Sequence, residues 1–176
     1  MCIRDSDTFT GLAGADRFEI AAGVDTLTDL GLDADVVVVS SASARVEADL
    51  AAAWTATAAS TNAGSALLRT NGFAIDLTAV TSGSGWNLLN SGTATTLTGS
   101  ALGDTLTGGA GNDTLKGNAG ADRFQITAGT DTVLDVGNGV DVIIVSAGAT
   151  VDATVTSPWT ATAVSKNDGT ARIGSA

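Results

Sequence analysis

A period of nine residues limits what this chain can fold into more than any other feature. Leu88, Leu97, Leu106, Leu115, Phe124, Val133 and Val142 stand nine apart, six steps without a slip. Each sits at the centre of a short β-like triplet such as Thr105-Leu106-Thr107. Side chains alternate faces along a strand, so the central residue points one way and its two neighbours the other. The residues between triplets are mostly Gly, Ala, Asn and Asp, which suit turns with positive φ or side chain to backbone hydrogen bonds. A nonapeptide is therefore half a coil, a strand of about three residues and a turn. Two of them close one coil of a flattened solenoid, with coils stacked about 4.7–4.9 Å apart. The apolar column becomes its narrow core.

The same period carries carboxylates. Between Gly99 and Gln125 the sequence divides into GSALGDTLT, GGAGNDTLK and GNAGADRFQ, and the middle unit satisfies G-G-x-G-x-D-x-U-x, U being a large apolar residue. Asp104, Asp113, Asp122 and Asp131 each precede an apolar column residue by two. Stacking by eighteen places Asp104 beside Asp122 on one edge and Asp113 beside Asp131 on the other. Carboxylates one strand spacing apart repel unless a cation lies between them. Calcium suits such a place, because it takes six to eight oxygens and glycine turns can lend carbonyls. A single Asp-Gly turn is explained as well by an Asx turn held by hydrogen bonds alone. Four in phase, with their glycines in place, favour the cation. The fit is closest at Asp113 and Asp122. Leu102 replaces the glycine before Asp104, and Ile126 opens the Asp131 unit.

Composition supports a solenoid. The 176 residues include 22 glycines but one proline, four phenylalanines and no tyrosine or histidine, thin material for a conventional globular core. Acidic residues outnumber basic ones 19 to 8, and all but two of the 19 are aspartate, the short-armed carboxylate of tight turns. The net charge of −11 argues against nucleic acid or anionic membrane as partners and for cations. No apolar run approaches the length of a membrane span. No signal-peptide pattern opens the sequence. The hexapeptide MCIRDS, with the lone Cys2, resembles translated adapter sequence. Residues 1–6 are therefore expected to be a non-native scar, uninformative about leader or compartment.

The chain repeats itself at longer range. DTFTGLAGADRFEIAAGVDTLTDLGLDADVVVVS from Asp7 parallels DTLKGNAGADRFQITAGTDTVLDVGNGVDVIIVS from Asp113, an offset of 106. After one residue is lost, WTATA at 54–58 returns at 159–163. The chain reads as about one and a half copies of a module of a little over 100 residues, cut at both ends. Residues 7–45 are the β-roll end of the first copy, where Asp7, Asp16 and Asp25 precede Phe9, Phe18 and Leu27 by two. Asp7 pairs with Asp25, but Asp16 meets Ala34, and Asp35 next to it marks a slip of one, as Asp141 does later. That slip is expected to end the regular run, leaving DVVVV and DVIIV (35–39 and 141–145) as strands buried throughout. Residues 46–87 form an intervening β segment with half-buried strands at 54–58 and 73–77 and a turn at 61–64. Whether it continues the solenoid is left open by the sequence. Residues 88–146 are the second β-roll, and 147–176 a truncated intervening segment.

With GGAGNDTLKGNAGADRFQ in view, the chain resembles the RTX, or haemolysin-type, calcium-binding repeat proteins of bacteria, over about 7–40 and 90–146. The resemblance implies an all-β fold, a right-handed parallel β-roll, that folds on binding calcium outside the cell. It implies export by type I secretion machinery and a place in a large repetitive protein, secreted or at the bacterial cell surface. Carried over by the motif, the calcium ligands are the aspartates named above with the loop backbone at Gly108, Gly109, Gly111, Gly117 and Gly120. No oligomer is predicted.

Other functions fit less well. Without histidine no Ser-His-Asp triad can be built, and no His or Cys cluster offers a zinc site. The chain is expected not to be an enzyme, although such repeats also form the carboxy-terminal region of secreted hydrolases. Outward threonines such as Thr96, Thr98, Thr105 and Thr107 resemble the ladders of ice-binding solenoids, but Lys116, Arg123, Gln125 and Leu134 interrupt both faces. Adhesion by a long repetitive protein is more plausible. The expected role is that of a calcium-dependent structural spacer or folding aid.

Overall fold

A computed structural model describes residues 6–176, so all but Ser6 of the suspected scar lies outside the described residues. Among these residues there is no helix, and the chain winds as a parallel β-solenoid of about eight turns. One side is a nine-stranded sheet built from Thr8–Phe9, Val24–Leu30, Arg45–Leu50, Ser65–Thr70, Asn87–Asn90, Thr105–Thr107, Arg123–Ile126, Val142–Val145 and Lys166–Asn167. A seven-stranded sheet holds Trp54–Thr55, Ile75–Asp76, Thr96–Thr98, Thr114–Lys116, Thr130–Val136, Thr150–Val155 and Thr170–Ser175. Arg17–Ile20, Val36–Val39 and Thr61–Asn62 make a third, three-stranded sheet.

In the central run the pairing follows the eighteen-residue rule. Leu88 pairs with Leu106, Leu106 with Phe124, Leu97 with Leu115 and Leu115 with Val133. Every column residue from Leu97 to Val133 is fully buried, and its threonine neighbours are partly or wholly exposed. One inward residue per triplet is enough because stacked coils cover it above and below. The core is a single file.

Residues 46–87 continue the solenoid with longer coils. Val46 pairs with Ala66 and Leu68 with Leu88, steps of 20, while Ile75 pairs with Leu97, a step of 22. The added length goes into a third side: the coil from Arg45 to Asn62 contributes a strand to each sheet in turn. The wider interior is filled by Trp54 and Trp86, both buried, with ring centroids 6.4 Å apart. The strands at 54–58 and 73–77 are shorter than the alternation suggests, Trp54–Thr55 and Ile75–Asp76. Thr61–Asn62 is a strand rather than the first half of a turn. Its Asn62 is buried, donates to Gly85 O at 2.7 Å and accepts from Gly64 N at 3.1 Å.

The column of nine stops at Val133. Phe124 pairs with Ile143 and Arg123 with Val142, so Ile143 takes the core place and Val142 is half-buried. In the first copy Phe18 likewise pairs with Val37, not Val36. Both steps are 19, the extra residue falling in the turn before Asp35 or Asp141. Val142–Val145 alternates instead of being buried throughout, whereas in Val36–Val39 the last three valines are all buried. Ile143→Val should therefore cost about 0.5–1.5 kcal/mol in denaturant unfolding with calcium present. Val142→Thr should stay within about 0.5 kcal/mol. Equal costs would place the slip elsewhere.

Candidate metal sites

The aspartates lie where the coil geometry puts them, in ladders along the two edges. The backbone N–H of Asp104 donates to Asp122 Oδ1 at 2.8 Å, and that of Asp113 to Asp131 Oδ1 at 2.9 Å. In the first copy Asp7 N donates to Asp25 Oδ1 at 3.0 Å, and Asp16 N to Asp35 Oδ1 at 3.1 Å. Asp122 N donates to Asp141 Oδ1 at 3.0 Å. The hydrogen-bonded ladder thus goes one rung past the slip that was expected to end the regular calcium run. The nineteenth residue of the coil is accommodated in the turn, and the ladder takes one further rung at Asp35 and at Asp141.

Except at Asp7 and Asp16, which open the two edges of the first copy, one oxygen of each carboxylate is accounted for by the coil before it. The other oxygen separates the aspartates into two groups. Asp104 Oδ2 accepts from Ser100 N at 2.6 Å and Ser100 Oγ at 2.8 Å. Asp35 Oδ2 accepts from Gly31 N at 3.1 Å and Asp141 Oδ2 from Gly137 N at 2.7 Å. Those rungs are closed. Asp16 Oδ2, Asp113 Oδ2 and Asp131 Oδ2 are buried atoms with no hydrogen-bond partner. A buried acceptor without a donor costs about 1–3 kcal/mol, more when charged. Asp113 and Asp131 are themselves almost wholly buried, at 1% and 0% exposure.

Gly108 faces both of these oxygens. A Cβ there would stand 2.6 Å from Asp131 Oδ2 and 3.0 Å from Asp113 Oδ2. Gly117 presses on Asp122 Oδ2 in the same way, and Gly11 on Asp16 Oδ2. The glycine leaves room beside the carboxylates that any side chain would fill. Gly109, Gly111 and Gly120 serve the turn itself, with φ of 82°, 119° and 128° and backbone of the preceding coil against them.

Burial and crowding raise the affinity of these carboxylates for a proton. Asp122 is pushed up to about 7, first by desolvation and then by the nearby charges of Asp104, Asp141 and Asp135. Asp131 is pushed up to about 6 by desolvation, with Asp113 adding to it. Desolvation also raises Asp104, Asp113 and Asp135. An ion with several oxygen ligands would offset the buried charge and screen the repulsion between the carboxylates. Among the described residues no three acidic, histidine or cysteine side chains converge on one point. An ion at Gly108 would rest on two carboxylates and take its remaining ligands from backbone carbonyls or water, a donor set calcium accepts.

Asp29 and Asp135 escaped the reading of the sequence. Asp135 accepts from Gly117 N at 2.9 Å and Asn118 N at 2.7 Å, one oxygen each. Asp29 does the same for Gly11 N and Leu12 N at 3.0 and 2.6 Å. Leu12 and Asn118 are the two described non-glycine residues with positive φ, so these carboxylates hold the strained turns. The signal was present: each aspartate lies four after a ladder member, Asp25 or Asp131, at the offset of 106.

No curated protein and no solved structure matches this chain. A family model, the RTX calcium-binding nonapeptide repeat, matches in four copies over residues 4–27 and 98–133. These two stretches contain both aspartate ladders up to the slips, together with Gly11, Gly108 and Gly117 beside the carboxylates. The coils at the two ladders match the RTX calcium-binding nonapeptide repeat and are wound into a parallel β-solenoid.

Proposed function

We propose that the two ladders bind calcium between successive coils and that the coils carrying them reach the folded state only with the ion in place. The observation that carries this reading is the pair of partnerless, buried oxygens of Asp113 and Asp131 on either side of Gly108. Asp122 beside Gly117 and Asp16 beside Gly11 extend the same arrangement to the other edge and the first copy. Gly108, Gly109, Gly111, Gly117 and Gly120 supply the turn carbonyls. Without metal, buried repelling carboxylates and the ordering entropy of glycine turns favour the unfolded chain.

Extracellular calcium modules bind with Kd around 10⁻⁴–10⁻³ M, so such sites stay empty in a cytosol and fill outside. A site at ten times its Kd adds roughly 1.4 kcal/mol, and several together decide whether the coils fold. The role is structural rather than catalytic: a segment of a large secreted bacterial protein, passed out unfolded by type I secretion and stiffened on arrival. The same coils would serve the repeat region of a secreted hydrolase or the stalk of a cell-surface adhesin.

Circular dichroism of the chain titrated with calcium, with magnesium as the control, tests the reading. A cooperative gain of β signal is expected with calcium alone, between roughly 0.1 and 1 mM. A spectrum indifferent to calcium would reduce the aspartates to turn formers.

A further inference from the structure

The nine buried aspartates among the described residues are not spread evenly. They occupy 25–35 and 104–141, and the 68 residues from Val36 to Gly103 contain none. The buried polar groups of that stretch are neutral, and all but Trp86 Nε1, which has no partner, are satisfied by the protein. Ser60 Oγ accepts from Val37 N at 3.3 Å, and Thr70 Oγ1 exchanges two bonds of 2.7 Å with the backbone of Phe73. Asn90, fully buried, accepts from Gly72 N and Gly92 N at 3.0 Å and donates to Thr93 O at 2.8 Å. An amide both donates and accepts, so an asparagine closes a coil edge that an aspartate leaves open to a cation. On the outer face arginine meets Glu47, which pairs with Arg45 at 2.7 Å and with Arg69, and Asp49, 3.6 Å from Arg69, while Asp76 accepts from Thr78 N at 2.9 Å.

Two further features lower the cost of ordering this stretch. It holds two positive-φ residues, Gly72 and Gly83, against seven between Asp104 and Gly148. Its core is also broader, with Trp54, Leu68, Leu77, Val80 and Trp86 packed inside the three-sided coils. At its far end it meets the ladder directly. Asn90 Nδ2 donates to Asp113 Oδ1 at 3.0 Å, Thr95 N donates to the same oxygen at 2.8 Å, and Ser100 closes Asp104. These donors fix the first carboxylate of each edge from the metal-free side.

We propose that residues 36–103 form a calcium-independent solenoid block that folds first and templates the calcium coils at 104–135. The block presents an ordered strand, Asn87–Asn90, for Thr105–Thr107 to pair with, and holds Asp113 so that its free oxygen faces Gly108. The costly step of starting a stack is then taken without metal, and calcium needs only to extend it. The inference rests on the calcium reading of the ladders.

Hydrogen exchange of the full chain, read by mass spectrometry in chelator and in calcium, tests it. Segments within 61–90 should stay protected in chelator, while 104–135 should exchange like unfolded chain until calcium is added. Loss of protection at 61–90 in chelator would overturn the block. Protection of 104–135 in chelator, unmoved by calcium, would instead sink the calcium reading itself. Leu68→Ala, inside the block and away from every ladder carboxylate, separates templating from independent folding. It should raise the calcium concentration that protects 104–135 at least about threefold. An unchanged calcium requirement in that variant would overturn the templating.

Discussion

Asp131→Asn should raise the calcium concentration at half-folding about thirtyfold or more, a loss of roughly 2 kcal/mol. Asparagine keeps the shape of the side chain and an oxygen for the N–H of Asp113, so the coil edge stays connected. What disappears is the charge of the partnerless oxygen beside Gly108. In chelator the same variant should be no less stable than the parent, because it removes a buried charge that repels Asp113. Opposite effects with and without calcium distinguish a ligand from a residue that merely holds a turn. Asp152→Asn, at the exposed pair with Arg172, should move neither number. Titrations of both variants by circular dichroism settle the matter. A destabilisation of Asp131→Asn equal in calcium and chelator would assign the residue to the turn alone.

Acid should stabilise the calcium-free chain and weaken its need for metal. In the folded coils Asp122 and Asp131 titrate at about 7 and about 6, against an ordinary carboxylate value of 3.8 in the unfolded chain. Between these values the folded state binds more protons than the unfolded one, so unfolding free energy falls as pH rises. The contribution is fully present below about 4 and gone once pH has passed about 7. The loss is on the order of 2 kcal/mol between pH 4 and 8, solvent screening having been discounted. Circular dichroism in chelator at pH 5 and pH 8 would show it, as a gain of β signal in acid. In saturating calcium the dependence should invert, since the ion binds the deprotonated carboxylates and displaces their protons. A chelated chain more stable at pH 8 than at pH 5 would mean that the carboxylates have donors the structure does not give them.

The regular coils were legible because one geometric constant, eighteen residues per turn, fixes strands, core and carboxylates together. From Leu88 to Val133 the apolar column, its pairing and the aspartate ladders all follow from that number. Residues 46–87 resisted the same reading for a physical reason. Their coils take 20 to 23 residues and a third side, so no fixed period survives, and Trp54 and Trp86 replace the single file of leucines. The slip at Asp35 and Asp141 was visible, but the further hydrogen-bonded rung beyond it was not, because a turn can absorb one residue without breaking the ladder. Asp29 and Asp135 show a different limit. They lie outside the nonapeptide motif, and their work is to hold two backbone N–H groups in positive-φ turns. Which oxygen of each ladder aspartate is already satisfied, by Ser100, Gly31 or Gly137, depends on local turn contacts that no spacing rule contains.

Because every strand pairs in parallel with its counterpart one coil away, the molecule stores chain length along its axis. A folded eighteen-residue coil adds about 4.8 Å of height, but paid out as extended chain it spans about 60 Å, roughly twelve times as much. Under tension such a stack would lengthen coil by coil from an end, and each rung bridged by calcium would be a separate latch. A tether built this way would be stiff at low load and extensible at high load, and would rewind wherever calcium is present.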